Sequence, residues 1–187
     1  SNLQANPSNA AVWTATLTPV ADVSDATNTI TVTASSYTDL AGLAGSGGTS
    51  ANYAIDTLAP SITALSLSPA SLAWGQTAQL SVTFSEAVSG LTLGDFTGIA
   101  AVGALSGLAQ VGSTNEWRAT FTPNAGLAAT NASISLTDGS YADLAGNAGP
   151  EGTTDIIAVD TSNAPSTITG TPQNDRLVGS SASETFL

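Results

Sequence analysis

Apolar and polar residues alternate over several short stretches of the chain. The clearest are residues 80–84, Leu-Ser-Val-Thr-Phe, and residues 117–121, Trp-Arg-Ala-Thr-Phe. A period of two residues is that of a β-strand with one buried face. Residues 134–136 and 156–159 continue the pattern, and Gly, Pro, Asn and Asp separate the runs. No stretch of useful length has the spacing of an amphipathic helix, so the pattern predicts an all-β protein.

The chain also repeats itself. Trp13 aligns with Trp117 at an offset of 104 residues, 117 minus 13. The same offset aligns Pro19 with Pro123, Tyr37 with Tyr141, Gly42 with Gly146 and Asp56 with Asp160. About 20 of the roughly 44 positions between the first Trp and the final Asp are identical without a gap. This period suits a small domain of about seven strands, which predicts an immunoglobulin-like β-sandwich with Trp117 and Tyr141 in or beside its core.

The repeat predicts four segments. Residues 58–160 form a complete sandwich domain, and residues 1–57 form the C-terminal half of an equivalent domain. Residues 161–167 are a linker, and residues 168–187 open a different module. An incomplete sandwich exposes the edges of its sheets, so we expect the half repeat to pack less well than the complete one.

Composition narrows the chemistry that is available. The chain has 14 Asp and Glu against 2 Lys and Arg, a formal net charge of −12, and neither His nor Cys. Nucleic acid and anionic membranes are therefore poor partners, and Ser-His-Asp triads, cysteine nucleophiles and His/Cys zinc sites are excluded. The weakly polar run 99–111 is short and broken by glycine, so no membrane insertion is expected. Oxygen ligands for a hard cation such as Ca²⁺ remain.

Several motifs resemble one known family. Residues 84–88 read Phe-Ser-Glu-Ala-Val, residues 94–97 read Gly-Asp-Phe-Thr, residues 143–147 read Asp-Leu-Ala-Gly-Asn, and residues 159–161 read Val-Asp-Thr. In this order they resemble the bacterial immunoglobulin-like repeats of giant secreted adhesins. The resemblance implies a non-enzymatic extender module at the cell surface, exported in one step through a type I secretion channel. Its partners would be neighbouring repeats of the same chain, with other domains of the parent protein contacting a host or environmental surface.

The last segment carries a second resemblance. Residues 168–179 look like the first turn of a repeats-in-toxin calcium β-roll, in which Gly-Asp turns bind Ca²⁺ and large apolar residues point inward. The resemblance implies that Asp175 is a calcium ligand and that Leu177 packs inside. The glycine pairs of the family are absent, and Glu184 stands where the family has Asp, so we interpret the segment as a degenerate opening turn.

Acidic residues are expected to converge at one pole of the sandwich. In a seven-stranded sandwich the first strand begins where the second-to-third and sixth-to-seventh loops turn. Those loops carry Glu86 and the pair Asp143 and Asn147, and the preceding linker brings Asp56 to the same pole. Two carboxylates ~5 Å apart at an effective dielectric constant near 20 repel by roughly 3 kcal/mol, which a divalent cation would reverse. Ca²⁺ suits such a site because it accepts six to eight oxygen ligands in flexible geometry.

Two further calcium positions follow from the repeat. Asp160 is predicted to bind Ca²⁺ together with the start of the next module, and Asp39 belongs to an equivalent set whose partner loop is missing from the half repeat. The family's final Asn is replaced there by Leu43, whose side chain has no ligand atom.

Other interpretations remain open at this point. Asp and Asn beside Gly are ordinary turn residues, so residues 143–147 are also explained as a shaped loop without metal. A carbohydrate- or surface-binding accessory module would need an exposed aromatic side chain, for which Trp74 is the candidate. An enzyme would have to operate with carboxylates alone, and no acidic pair is predicted to lie in a pocket.

Overall fold

The computed structural model describes residues 2–163, 167–168 and 185–186. The chain divides into two compact units, residues 1–59 (unit 1) and residues 60–187 (unit 2). Apart from a single 3₁₀ turn at Leu93–Asp95, the regular structure of the described residues is β-strand, which confirms the all-β prediction. Among the described residues, no helix has the length and apolar character needed to cross a membrane.

Unit 1 contains six short strands in three two-stranded antiparallel sheets. β1 pairs with β2, β3 pairs with β6, and β4 pairs with β5. The strands are β1 (Gln4–Asn6), β2 (Asn9–Thr14), β3 (Ser24–Asn28), β4 (Thr31–Val32), β5 (Gly48–Thr49) and β6 (Tyr53–Asp56).

Unit 2 contains the immunoglobulin-like sandwich. Its strands are β7 (Ile62–Ser68), β8 (Ser71–Ala73), β9 (Ala78–Phe84), β10 (Val88–Ser89), β11 (Phe96–Thr97), β12 (Gly103–Gln110), β13 (Glu116–Pro123), β14 (Thr130–Ala132), β15 (Ser135–Leu136), β16 (Ala142–Asp143), β17 (Gly152–Thr153) and β18 (Ile157–Asp160). The largest sheet has the order β12-β13-β9-β7 and is antiparallel throughout. Opposite it run the orders β14-β18-β8 and β11-β15-β17, with β8 parallel to β18.

The alternation seen in the sequence builds the core between these layers. In β9, Leu80, Val82 and Phe84 are buried while the intervening residues are more exposed. Phe121 of β13 and Leu136 of β15 join them in one hydrophobic cluster. Strand ends differ from the prediction by one or two residues. For example, Ile156 is exposed and the strand predicted to begin there begins at Ile157.

The two units share the pairing of their second halves. β1–β2, β3–β6 and β4–β5 of unit 1 correspond, at the repeat offset, to β12–β13, β14–β18 and β15–β17 of unit 2. The repeat found in the sequence is therefore also a repeat of hydrogen-bonded structure.

Two short strands lie in the C-terminal segment. β19 (Thr167–Ile168) pairs in parallel with β20 (Thr185–Phe186). The predicted β-roll ligand Asp175 lies outside the described residues.

Candidate metal centre

A short ladder between two loops of unit 2 positions the candidate ligands. β10 follows β9 of the large sheet, and β16 lies in the loop between β15 and β17. The two pair antiparallel with Val88 opposite Asp143. Glu86 stands two residues before Val88, and its carboxylate has an oxygen within 4.8 Å of an Asp143 carboxylate oxygen. The ladder therefore holds two acidic groups side by side although they are distant in sequence.

Asp143 is buried, with only 2% of the residue exposed, and its carboxylate is hydrogen-bonded by its own loop. Oδ1 accepts hydrogen bonds from the backbone N–H groups of Ala145 at 2.8 Å, Gly146 at 2.7 Å and Asn147 at 2.9 Å. Oδ2 accepts a bond from the Asn147 side-chain amide at 2.8 Å. Gly146 has φ +95°, a left-handed conformation that glycine adopts without strain and that lets the loop close around the carboxylate.

These hydrogen bonds keep Asp143 ionised. Burial by itself raises the pKa of the carboxyl group, but the bonds from Asn147, Gly146 and Ala145 outweigh burial and hold the pKa below its usual value. A carboxylate must be deprotonated to bind a cation. In the described structure Oδ2 accepts one N–H bond, so this oxygen keeps a lone pair for a metal ion.

The basic side chain within the described residues is paired with a different carboxylate. Among the described residues the only Lys or Arg is Arg118, and its Nε lies 2.7 Å from Oε1 of Glu116 in an exposed ion pair. A second Arg118 nitrogen donates to the other Glu116 oxygen at 3.1 Å. Arg176, the other basic residue of the chain, lies outside the described residues.

The equivalent loop of unit 1 has the same backbone pattern without the amide. Oδ1 of Asp39 accepts bonds from the N–H groups of Ala41 and Leu43, each at 2.9 Å. The Asp39 N–H donates to the Leu43 carbonyl at 2.9 Å, just as the Asp143 N–H donates to the Asn147 carbonyl at 3.1 Å. Asp39 is exposed, and Leu43 offers no side-chain oxygen or nitrogen. The loop alone is therefore a turn motif, and what distinguishes unit 2 is burial together with the second carboxylate.

The linker aspartates occupy equivalent positions at the ends of the two units. Asp56 ends β6 in unit 1, and its Oδ1 accepts the Leu58 N–H at 3.2 Å. Asp160 ends β18 in unit 2, and its Oδ1 accepts the Ser162 hydroxyl at 2.6 Å and the Ser162 N–H at 3.1 Å. The two Ser162 bonds hold the pKa of Asp160 below its usual value.

A threonine directly follows each linker aspartate, and the sequence pattern did not indicate its structural role. The Thr161 hydroxyl donates to the Asn124 carbonyl at 2.7 Å and accepts the Leu127 N–H at 2.9 Å. At the repeat offset, the Thr57 hydroxyl donates to the Val20 carbonyl at 2.8 Å and accepts the Val23 N–H at 3.1 Å. We call this arrangement the threonine clasp. The repeated Asp-Thr pair was the signal for it, because the hydroxyl fixes the chain directly after the aspartate.

Aromatic residues lie largely as predicted. Tyr141 is buried, its hydroxyl donates to the Pro150 carbonyl at 2.9 Å, and its ring centroid is 4.8 Å from that of Phe84. Trp117 is partly buried against the core. Trp74 is 42% exposed and lines an open cleft of about 220 Å³, the feature on which the accessory-module interpretation rests.

Comparison with known proteins identifies the family. A family model described as bacterial Ig-like domain matches residues 1–55 and again residues 56–160. No curated protein and no solved structure gives a significant match. Domains of this kind are structural modules, typically extracellular or exposed on the cell surface. Two consecutive matches to one model, a repeated strand pairing and a sandwich core together place this chain in the bacterial immunoglobulin-like domain family.

Proposed function

We propose that the chain is an extender segment of a bacterial adhesin, in which Ca²⁺ binds where consecutive immunoglobulin-like domains meet and stiffens the array. Its partners are neighbouring repeats in the same chain, and other domains of the parent protein contact the surface. The observation that carries the proposal is the Glu86–Asp143 pair, whose carboxylate oxygens lie within 4.8 Å of each other. Holding two negative groups this close costs free energy that a divalent cation offsets.

Asp56 is the third ligand in this proposal. The Ser61 N–H donates to Oγ of Ser85 at 2.9 Å, and the Ser85 N–H donates to the Ser61 carbonyl at 2.8 Å, directly beside Glu86. Asp56 precedes Ser61 by five residues, a span of at most about 17 Å of extended chain. A linker of this length is compatible with the proposal that Asp56 binds the same metal ion as the acidic pair. A metal ion bound by all three carboxylates would hold the linker to two loops of the following domain.

Ca²⁺ fits this set of donors better than softer metal ions do. The available groups are carboxylate, amide and backbone oxygens, which are hard ligands, and the chain contains no Cys or His for softer metals. Extracellular calcium modules bind at ~10⁻⁴–10⁻³ M, so the ion would be bound outside the cell and largely absent inside it. Folding of the junction would then follow export.

The repeat extends the proposal to other positions. Asp160 would bind Ca²⁺ together with the module that follows, as Asp56 does in the proposal for unit 2. The threonine clasp at Thr161 would fix the backbone next to Asp160. Asp39 would contribute where a partner loop is present. Asp175 would bind Ca²⁺ in the predicted β-roll. These assignments rest on the repeat and on the family resemblance.

Calcium-dependent stability tests the proposal. A site with a Kd of ~1 mM gains about 1.4 kcal/mol at about 10 mM Ca²⁺, which raises the unfolding temperature of a domain of this size by about 6 °C. We expect this rise when the whole chain in EDTA is compared with the chain in Ca²⁺ by scanning calorimetry. Isothermal titration should give a matching Kd.

Matched variants separate a specific site from general screening of negative charge. Glu86→Gln removes one charge from the acidic pair, whereas Asp155→Asn removes one from an exposed loop residue. The first should lose most of the calcium-induced shift and the second should keep it. Asp56→Asn should also lose it. Equal shifts in Glu86→Gln and Asp155→Asn, or no shift in the natural chain, would overturn the metal proposal.

A further inference from the structure

Unit 2 has a cleft at the end of its sandwich that lies opposite the candidate metal centre. Three segments form the cleft, namely the turn between β8 and β9, the end of β13 with the residues after it, and the residue that follows β18. β9 begins beside this cleft at Ala78 and ends at Phe84, two residues before Glu86. A strand of seven residues, about 20 Å long, therefore separates the cleft from the acidic pair.

Hydrogen bonds within unit 2 hold the walls of the cleft in place. The Ala73 N–H donates to the Gln76 side-chain oxygen at 2.8 Å, which closes the turn that carries Trp74. The opposite wall is fixed by the threonine clasp, in which the Thr161 hydroxyl donates to the Asn124 carbonyl at 2.7 Å. A surface that is fixed in advance loses little conformational entropy when a ligand binds.

Trp74 exposes its indole ring at this cleft. It is 42% exposed and lies outside the hydrophobic cluster that forms the core of the described structure, whereas Trp117 packs against that cluster. Large aromatic side chains with a polar N–H are enriched at binding surfaces, where the ring contacts an apolar group and the N–H stays in water. Packing of the core does not explain Trp74, so a binding role is the better explanation.

Uncharged hydrogen-bonding groups surround the ring. None of the described residues that line the cleft is charged, although the chain has a formal net charge of −12. Within the described structure, no protein group bonds the Gln76 side-chain nitrogen or the hydroxyl groups of Thr77 and Thr122. The Asn124 side-chain nitrogen donates to the Ala101 carbonyl at 3.3 Å, which leaves its amide oxygen as an acceptor. The cleft thus offers both donors and acceptors to a neutral ligand.

We propose that the Trp74 cleft binds one sugar residue of a neutral carbohydrate. A pyranose ring has an apolar face of C–H groups and a rim of hydroxyl groups. The face stacks on the indole ring, while the rim exchanges hydrogen bonds with Gln76, Asn124 and the two threonines. This binding function is separate from the extender function and does not depend on calcium.

Other ligands fit the cleft less well. A cationic ligand would gain from carboxylates beside the ring, and an anionic ligand would gain from basic groups, but the described lining contains neither. A proline-rich peptide docks in a groove lined by aromatic side chains, and the described lining here has one aromatic residue, Trp74.

Binding by one open cleft of about 220 Å³ should be weak. A hexose has about 12 non-hydrogen atoms, which at the binding efficiency of ordinary ligands corresponds to a Kd of about 1–10 mM. Such an affinity is within the range that nuclear magnetic resonance titration measures.

Titration of the whole chain with neutral oligosaccharides tests the proposal. The probes are maltotriose, cellotriose and tri-N-acetylchitotriose, each added in EDTA to about 50 mM, which exceeds the expected Kd. Trp74→Phe assigns the indole N–H signal of Trp74. We expect this signal to shift and saturate with at least one probe, while the signals of Trp13 and Trp117 stay unchanged. Sorbitol, a polyol without a ring, should cause no saturable shift.

Matched variants separate the cleft from exposed aromatic surface in general, with the backbone amide signal of Thr77 as the readout. Trp74→Ala should weaken binding by about tenfold or more, because stacking on the ring is lost. Trp13→Ala removes an exposed indole that lies outside this cleft, and it should leave the Kd unchanged. Gln76→Glu keeps the acceptor for the Ala73 N–H but removes the amide donor, and it should weaken binding by about threefold or more.

Three results would overturn the proposal. One is the absence of a saturable shift with all three oligosaccharides. Another is an equal shift of the Trp74 and Trp13 signals, which would indicate non-specific contact with exposed rings. The third is protection of Trp74 from acrylamide quenching in the free chain, measured against Trp74→Phe, which would show that another part of the chain or a second copy fills the cleft.

Discussion

Ile30 and Ile134 are the same residue at equivalent positions of one repeat, yet Ile30 is 54% exposed and Ile134 is fully buried. Tyr37 and Tyr141 differ in the same way, at 52% and 2%. Both tyrosines retain the same hydrogen bond, from the hydroxyl to the carbonyl of Ser46 in one unit and of Pro150 in the other. Local structure is thus encoded within the half repeat, whereas burial requires strands from the other half.

The comparison also separates a turn motif from a candidate metal site. The loops at Asp39 and Asp143 form the same backbone hydrogen bonds. Only the second is buried, is held by an asparagine amide and faces another carboxylate. The second carboxylate, Glu86, lies two residues before β10 in the first half of the repeat, and β10 pairs with the strand that carries Asp143.

The largest difference between the units is expected from truncating equivalent core positions. Phe121→Ala removes a fully buried ring and should lower the free energy of unfolding of unit 2 by about 3–5 kcal/mol. Leu17→Ala, at the equivalent exposed position, should change stability by about 0.5 kcal/mol or less. Urea unfolding measures both. A similar loss in the two variants would show that Leu17 is already packed in solution.

A difference of intermediate size between the two loops is expected in how their aspartates contribute to stability as the pH falls. Hydrogen bonds hold the pKa of Asp143 below its ordinary value of 3.8, so its carboxylate contributes stability that is fully present above that value. The contribution is lost as the pH falls through the lower pKa of the folded state. Asp143→Asn should therefore be less stable than the natural chain at neutral pH, and the gap should narrow in acid.

Urea midpoints measured between neutral and strongly acidic pH in EDTA check this expectation. Asp39→Asn is the control at the equivalent exposed loop, and it should cost less stability at neutral pH because its side chain is solvated. If the difference in stability between Asp143→Asn and the natural chain grew as the pH fell, the lowered pKa of Asp143 would be contradicted.

The smallest difference is expected from single hydroxyl groups. Tyr141→Phe removes the donor to the Pro150 carbonyl and should cost about 1 kcal/mol, because the lost bond joins partly buried groups. Tyr37→Phe removes the matching bond to Ser46 in an exposed setting and should cost less, since water replaces the lost donor. Thermal unfolding of the two variants measures the difference. Equal losses of stability would mean that the two hydroxyl groups are equally exposed to solvent.

Much of the fold followed from local pattern. Alternation in residues 80–84 and 117–121 predicted strands with one buried face, and the structure confirms both. The offset between Trp13 and Trp117 predicted two copies of one domain, and the family comparison matches the chain twice. The ladder between β10 and β16 could not be predicted in this way, because each strand has only two residues and carries no pattern of its own.

The threonine clasp shows another limit of local pattern. Thr57 and Thr161 lie in short linkers whose composition predicts only a turn, and their partners are more than 30 residues away. A hydroxyl group can donate or accept a hydrogen bond with almost any neighbouring polar group, so the sequence alone does not identify its partner.

The sequence by itself determined that this protein is all-β, repeated, acidic and without the side chains of most catalytic sites. Those properties follow from periodicity and composition, which are local and additive along the chain. Tertiary structure decided which copies of equal residues are buried and which hydrogen bonds hold each carboxylate. Burial and proximity depend on strands brought from distant sequence, and only packing fixes where those strands lie.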